Sequence, residues 1–139
     1  MKYLADTHIL LWILAEDLGT SQLSNKAKDI LSDDDTELYF SFINVWEVAL
    51  KRIKHPEKVP YTAAEFEHLC KESGIGLLET IPSHAVVMDS LQYDYKAAKE
   101  EHKDPFDRIL LAQAKAENIL FLTHDHLIPF YNEPCTVKV

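Results

Sequence analysis

Residues 103–114, KDPFDRILLAQA, place two carboxylates three positions apart immediately before an apolar run. Asp104 and Asp107 fit a helix start, with Asp104 as the N-cap and Pro105 as the first helical residue, because side-chain oxygens accept the unpaired N–H groups there. The same spacing puts two carboxylates at one helix end, where a divalent cation could bind both. Taken alone, the segment favours the helix start, so the rest of the sequence must decide.

The overall composition predicts one globular domain. The chain has 139 residues, of which 47% are hydrophobic and 27% charged, and this length is enough to bury a core. Two cysteines are too few for a disulfide framework, which favours a reducing cytoplasm. Residues 9–15, the longest early apolar run, are too short to cross a bilayer, so we expect no membrane segment. The net charge of −9 argues against broad electrostatic binding to nucleic acid, but not against a nuclease whose acids hold cations.

Strand-like and helix-like segments alternate along the chain. The predicted strands are residues 2–5, 38–42, 76–80, 119–123 and 136–139, and the predicted helices are residues 7–15, 24–32, 44–53, 62–73, 84–92 and 104–117. This alternation predicts parallel strands joined by crossover helices. We therefore expect one α/β domain over residues 1–139, with three layers, α/β/α, and a mainly parallel central sheet of four to five strands.

Five carboxylates map to one edge of this predicted sheet. In a parallel sheet the carboxyl ends of the strands and the starts of the following helices share an edge, and ligands bind there. Asp6 follows the first strand, Glu47 lies near the start of the helix after the second strand, and Asp125 follows the fourth strand. Asp104 and Asp107 begin a helix that runs back to the start of the fourth strand, so they reach the same edge. Gathered carboxylates repel one another unless a cation compensates them, and oxygen ligands suit Mg²⁺ or Mn²⁺.

Each of these acids also has a structural explanation. Asn44 and Glu47 have the spacing of a capping box, and Asp6 and Asp125 could cap helices or close turns. We infer a functional site because the acids share one location, and clustered carboxylates mark such sites. Zinc is disfavoured although residues 124–126 read His-Asp-His, because neighbouring side chains on an extended segment point apart and no partner follows at zinc spacing.

Four segments, in this order and at these intervals, resemble a PIN domain of the VapC type, the toxin of bacterial toxin–antitoxin pairs. They are LADTHILLW, SFINVWEVA, DPFDRILLAQA and LFLTHDHLIPFY, and the resemblance extends over residues 2–131. It implies a PIN-like fold and an endoribonuclease that depends on Mg²⁺ or Mn²⁺, with Asp6, Glu47, Asp107 and Asp125 as the catalytic, metal-binding quartet. Asp104 is a further candidate metal ligand. The resemblance also implies a cognate antitoxin, and we expect a cytoplasmic homodimer within a larger toxin–antitoxin assembly.

Polar residues near the acids are candidates for supporting roles. Thr7, Ser41 and Thr123 could hydrogen-bond the acids or a water at the metal, or they could simply cap turns. The candidate contacts to the RNA backbone are Lys51, Arg52, Lys103 and Arg108. Lys51 lies four residues after Glu47 and could pair with it instead.

The two tryptophans are predicted to pack in the core. Trp12 and Trp46 occur at helical spacing among aliphatic residues, which favours core packing over stacking on bases.

Two other functions use the same features. A metal nuclease that acts on DNA or structured junctions would need the same acids, although 139 residues leave no room for helical clamp insertions. A non-catalytic PIN-like binding module would be expected to lack some of the quartet, and all four acids are present. The sequence therefore favours the ribonuclease.

Overall fold

The computed structural model describes all residues from Met1 to Val139, and strands and helices alternate along most of it. The strands are β1 (Lys2–Ala5), β2 (Glu37–Ser41), β3 (Gly76–Leu78), β4 (Leu120–Thr123) and β5 (Thr136–Lys138). The helices are α1 (Thr7–Ala15), α2 (Asn25–Ser32), α3 (Phe42–Lys54), α4 (Ala63–Glu72), α5 (Pro82–Val87), α6 (Tyr95–Ala98) and α7 (Pro105–Glu117). Short 3₁₀ turns cover Glu16–Leu18, Met88–Ser90 and Ile128–Tyr131. No helix combines the length and the apolar character needed to cross a membrane.

The five strands form one sheet in the order β3-β2-β1-β4-β5, and every neighbouring pair is parallel. β1 lies at the centre, where Leu4 is opposite Tyr39 of β2 and Phe121 of β4. The predicted parallel sheet is therefore confirmed, including its fifth strand at the edge.

Helices pack on both faces of the sheet because the side chains of β1 alternate between the faces. Tyr3 and Ala5 belong to one buried cluster together with Ile9 of α1 and Phe66 of α4. Leu4 belongs to a second cluster, which contains several residues of α7 and Phe121 of β4. Two separate cores with the sheet between them confirm the three-layer α/β/α prediction.

Two predicted boundaries shift at the junction of β2 and α3. The strand predicted to end at Phe42 ends at Ser41, and the helix predicted to begin at Asn44 begins at Phe42. Ser41 Oγ accepts from the amide of Ile43 at 3.0 Å, and Asn44 Oδ1 accepts from the amide of Ser41 at 2.6 Å. This local capping lets the chain pass from strand to helix without a loop.

The region between β3 and α7 is more broken than the sequence predicts. The helix predicted over residues 84–92 is α5 followed by the 3₁₀ turn Met88–Ser90. The single-turn helix α6, whose N-cap Asp94 accepts from the amide of Ala97 at 3.1 Å, was not predicted. Helices this short leave almost no apolar periodicity in the sequence.

Candidate active site

Four acids from separate elements meet at the carboxyl edge of the sheet. Asp6 is the N-cap of α1 directly after β1, Glu47 lies in the second turn of α3, Asp107 in the first turn of α7, and Asp125 two residues after β4. The first three are buried and Asp125 is partly buried. The predicted quartet is thus brought together from distant parts of the chain.

The carboxylate of Asp6 connects the first helix to the end of β4. Its Oδ1 accepts from the amide of Ile9 at 2.9 Å, which caps α1. Its Oδ2 accepts from the hydroxyl of Thr123 and from the amide of His124, both at 2.7 Å. Asp6 therefore serves as a cap and as a member of the acidic cluster, so the two explanations of this residue are compatible.

Glu47 is held by two side chains and does not cap its own helix. The Thr7 hydroxyl donates to Oε1 at 2.6 Å, and Lys51 Nζ lies 2.7 Å from Oε2. The capping box of α3 uses Ser41 and Asn44 instead. The alternative in which Glu47 returns a hydrogen bond to the helix start is therefore wrong, whereas the pairing of Lys51 with Glu47 is confirmed.

Asp107 is buried among the other four acids, all of which act on its carboxyl group. It is 5% exposed. Burial, followed by repulsion from Asp6, Asp104, Glu47 and Asp125, raises the pKa of Asp107 to about 10. The buried oxygens of this cluster thus hold more negative charge than the protein alone can compensate, and a proton on Asp107 is one compensation. A hard divalent cation is another, and the all-oxygen donor set fits Mg²⁺ or Mn²⁺.

Asp104 sits at the edge of the cluster as the N-cap of α7. Its Oδ1 accepts from the amides of Phe106 and Asp107 at 2.9 and 3.2 Å. Asp107, one turn into the helix, faces the other acids. Asp104 therefore forms the helix start, whereas Asp107 joins the acidic cluster, so each of the two explanations applies to one aspartate of DPFD.

Asp125 has a partner that sequence reasoning missed. His102, 3% exposed, places Nε2 at 3.0 Å from Asp125 Oδ2, and the amide of Leu127 donates to Oδ1 at 2.8 Å. Burial raises the pKa of Asp125, but the hydrogen bonds from His102 and from the Leu127 amide outweigh it and hold the pKa at about 2. Ligand atoms of His102, Asp107 and Asp125 all lie within 4.8 Å of one another. In the sequence, the one indication that His102 belongs to the site is its position two residues before Asp104.

The three hydroxyl residues predicted to support the acids behave differently. Thr7 donates to Glu47 and Thr123 donates to Asp6. Ser41 Oγ donates to Gln113 Oε1 at 2.7 Å and caps α3, and none of its hydrogen bonds goes to an acid. Ser41 thus stabilises the junction of β2 and α3 without touching the cluster.

The basic residues predicted to contact RNA are mostly engaged inside the protein. Arg52 donates to the carbonyl of Val59 at 3.0 Å. Arg108 Nε donates to the Tyr131 hydroxyl at 2.9 Å, and its Nη2 donates to the His102 carbonyl at 2.6 Å. Lys103 is exposed, so of these three side chains it is the one directed to solvent.

An open cavity of about 580 Å³ lies beside the acids. Its walls include Lys103, Asp104, Asp125 and His126. The cavity therefore places one basic side chain next to two of the candidate metal ligands.

The prediction of core packing for Trp46 is wrong. Its side chain is 50% exposed, stacks on Phe42 with ring centroids 6.4 Å apart, and meets the edge of Phe106 at 5.7 Å. Trp12 is partly buried against the core and packs edge-on to His124 at 4.8 Å. The helical spacing was correct, but α3 turns Trp46 outward.

The model of the family described as PIN domain matches residues 3–130. The chain belongs to the PIN-domain family. This PIN domain also has the fold of several solved structures. With VapBC2 from Rickettsia felis, solved bound to a DNA fragment from their promoter, it shares 13% identity and a TM-score of 0.64, over 100% of this chain and 98% of that chain. No curated protein sequence matches it.

Two further structures resemble this PIN domain. A toxin–antitoxin complex from Klebsiella pneumoniae shares 20% identity and a TM-score of 0.54, and FitAcB from Neisseria gonorrhoeae shares 19% identity and a TM-score of 0.55. Each match covers 98% of this chain and 96% of the other chain. These likenesses confirm the PIN fold expected from the sequence, and the PIN family is one of nucleases.

Proposed function

We propose that the protein is an endoribonuclease dependent on Mg²⁺ or Mn²⁺ and acts as the toxin of a VapC-type toxin–antitoxin pair. The observation that carries the proposal is the convergence of Asp6, Glu47, Asp107 and Asp125 from four elements onto one partly buried site. Membership in a nuclease family and the fold shared with toxin–antitoxin complexes support it.

The acids of this site would hold the cation, with Asp104 at the edge of the set. A divalent cation held by these acids would lower the pKa of a coordinated water and offset charge on the phosphate and the leaving oxygen. Thr7 and Thr123 donate to Glu47 and Asp6, so both carboxylates keep a defined orientation. The buried surroundings strengthen these electrostatic interactions by excluding water.

Lys103 is the proposed contact to the RNA backbone nearest the site. It is exposed and lines the cavity that contains Asp104 and Asp125. A phosphate bound there would have a basic side chain on one side and the cation-binding acids on the other. Lys51, Arg52 and Arg108 carry internal bonds, so we propose weaker direct contributions from them.

An apolar groove beside the site is the proposed docking place of the antitoxin. A cavity of about 470 Å³ runs between α1, α3 and residues 58–61, with Leu11, Trp12 and Val59 among its apolar lining. Lys51 lines the wall of this cavity and also pairs with Glu47, so one side chain of the groove contacts the acidic cluster. A largely extended antitoxin segment could bury apolar side chains in the groove and place an Arg across the acids.

The proposal also includes the quaternary state of the protein and the cellular compartment in which it acts. We propose a homodimer within a larger assembly with the antitoxin, which light scattering on the purified toxin and on the complex would measure. A toxin that cleaves cellular RNA and is held by a co-expressed partner acts in the cytoplasm.

The proposal is tested by incubating the purified protein with single-stranded RNA and with DNA of the same sequence. RNA cleavage should require Mg²⁺ or Mn²⁺, stop with EDTA, return with either ion and be lost in Asp107→Asn. Cleavage restored by Zn²⁺ alone contradicts the metal assignment, because an oxygen donor set does not favour zinc. Preferential cleavage of DNA would identify a DNA nuclease instead. Absence of metal-dependent cleavage of either polymer would leave a binding module.

A further inference from the structure

A chain of hydrogen bonds leads from Arg108 to Asp125 through two buried rings. Arg108 Nε lies 2.9 Å from the Tyr131 hydroxyl, Tyr131 lies 2.8 Å from His102 Nδ1, and His102 Nε2 lies 3.0 Å from Asp125 Oδ2. His102 and Tyr131 are both buried. The bond between the two rings is therefore closed to water, whereas the bonds to Arg108 and Asp125 are partly buried.

The direction of each bond follows from the donors available. Arginine has only donors, so the Tyr131 oxygen accepts from Arg108 and the hydroxyl proton is free to point at His102. His102 Nδ1 then accepts this proton, which leaves the ring proton on Nε2, directed at Asp125. In the opposite tautomer Nδ1 would donate to Tyr131, and Nε2 would face the carboxylate without a proton. The hydrogen-bond network thus selects a single tautomer.

Packing fixes the plane of the imidazole as well. The ring of Tyr131 meets His102 edge-on with centroids 5.4 Å apart, and the ring of Tyr93 lies 6.1 Å from His102 and 5.0 Å from Tyr131. Arg108 Nη2 also donates to the backbone carbonyl of His102 at 2.6 Å. Both the backbone and the ring of His102 are therefore held from α7 and from the 3₁₀ turn after β4.

We infer that His102 is a positioning residue that orients Asp125 toward the cation, with Tyr131 and Arg108 holding His102 in the required tautomer. This inference rests on the proposed cation site. Histidine and carboxylate neighbours behind a metal ligand commonly fix its geometry in this way. It also gives Arg108 a role inside the site in place of contact with RNA.

The structure offers a matched control elsewhere in the fold. His84 is as buried as His102, its Nδ1 accepts from the amide of Ile81 at 3.0 Å, and its Nε2 lies 2.7 Å from Glu117 Oε1. This pair joins α5 to the C-terminal end of α7, while the acids meet at the N-terminal end of α7. A substitution at His84 therefore removes a similar buried pair without touching Asp125.

The experiment measures Mn²⁺ binding to the full-length protein by calorimetry, with folding of each variant checked by circular dichroism in EDTA. His102→Leu should weaken Mn²⁺ affinity by about 10- to 100-fold, the range seen when a partner behind a metal ligand is lost. His102→Gln should keep most of the affinity, because its amide can donate from nearly the same position as Nε2. Tyr131→Phe should weaken binding less than His102→Leu, and His84→Leu should leave binding unchanged.

Four outcomes would overturn the inference. These are wild-type affinity in folded His102→Leu, equal losses in His102→Gln and His102→Leu, equal losses in His84→Leu and His102→Leu, or unchanged affinity in Tyr131→Phe. If His102→Leu does not fold, the other two variants decide. Retained Mn²⁺ affinity in His102→Gln together with weakened affinity in Tyr131→Phe would support the inference, and any other pattern would overturn it.

Asp107→Asn distinguishes failure of this inference from failure of the proposed cation site. If it loses Mn²⁺ affinity while His102→Leu does not, this inference alone fails; if it binds normally, the cation site itself is wrong.

Discussion

The Thr7 hydroxyl donates to Glu47 Oε1 across 2.6 Å, although 40 positions separate the two residues. Asn44 Nδ2 donates to the same hydroxyl oxygen at 3.0 Å, which leaves the Thr7 proton free to point at Glu47. Lys51 Nζ holds the other carboxylate oxygen at 2.7 Å. Glu47 is therefore oriented from both sides before any cation binds.

Thr7→Val tests this orientation. The variant keeps the shape of the side chain but removes the bond to Glu47, so Mn²⁺ affinity should fall by about 10- to 100-fold. Loss of a buried partner should also lower the free energy of unfolding by about 1–3 kcal/mol. Calorimetry and urea denaturation measure the two effects. Thr36→Val is the control, because Thr36 Oγ1 donates to the Ile30 carbonyl at 2.7 Å, away from the acids; equal Mn²⁺ affinities in the two variants would contradict the prediction.

Asp107→Asn and Asp6→Asn should both reduce RNA cleavage by orders of magnitude but should shift the melting temperature of the metal-free protein in opposite directions. Burial and the neighbouring acids raise the pKa of Asp107 to about 10, so the wild type must take up a proton when it folds at neutral pH. Asn needs no proton, so the melting temperature of Asp107→Asn should rise. Asp6 Oδ2 accepts from two donors, so an amide nitrogen at that place would leave one unpaired and lower it. Thermal melts in EDTA measure both. Equal destabilisation would indicate that Asp107 is a structural residue.

Stability of the metal-free protein should depend on pH through Asp107. Its pKa is raised by burial and neighbouring acids to about 10, so its stabilising contribution is complete below the ordinary value of 3.8 and is lost as pH rises through about 10. For Asp125, burial is outweighed by the His102 hydrogen bond, and its pKa falls to about 2, so its contribution is lost only as pH falls through about 2.

Between about pH 5 and about pH 9, therefore, only Asp107 of these two acids changes stability. Urea denaturation in EDTA should show that Asp107→Asn becomes more stable relative to the wild type as pH rises. A constant difference across this range would show that Asp107 is already ionised in the folded protein.

Substitutions at Asp104 should separate capping from metal binding. Asn is as good an N-cap as Asp, so Asp104→Asn should leave stability nearly unchanged and cost less activity than Asp107→Asn. Asp104→Ala should lower the free energy of unfolding by about 1 kcal/mol, because the amides of Phe106 and Asp107 lose their acceptor. Cleavage rates and denaturation curves check both. If Asp104→Asn is the more damaging of the two Asn variants, the roles of the two aspartates are reversed.

Inhibition by the cognate antitoxin should weaken as Mn²⁺ rises. The groove lined by Leu11 and Trp12 lies next to the acids, because Lys51 lines the groove and pairs with Glu47. A basic side chain of an antitoxin bound in the groove would then compete with the cation for the same carboxylates. Titration of inhibition against Mn²⁺ at constant ionic strength measures this. Inhibition that does not change across a wide Mn²⁺ range would show that the antitoxin blocks RNA from the apolar groove alone.

Most of the fold was predictable because its signals are local. Apolar periodicity and capping residues located the major helices, and their alternation with short apolar strands implied a parallel sheet. The boundary between β2 and α3 was missed because Ser41 and Asn44 cap the helix within the strand end itself. The weak periodicity of residues 82–98 concealed the division into α5, a 3₁₀ turn and α6.

The sequence by itself determined which acids would meet, because parallel topology sends every strand end and the start of the following helix to one edge. Asp6, Glu47, Asp104, Asp107 and Asp125 could therefore be placed at that edge from their order relative to the strands, and the resemblance to VapC-type PIN domains implied which four of them form the quartet. The order of the strands and of the helices that follow them is enough to place these acids, without knowledge of side-chain contacts.

Only the tertiary structure decided where the other polar and aromatic side chains point. Arg108 turns inward because Tyr131, 23 positions away, offers an acceptor, and His102 becomes a partner of Asp125 because the segment after β4 returns beside it. Trp46 lies outside because no element packs over that face of α3 enough to bury it. A flexible side chain takes the partner that the fold brings near, and the nearest partner in space is set by packing between distant segments, which local spacing does not encode.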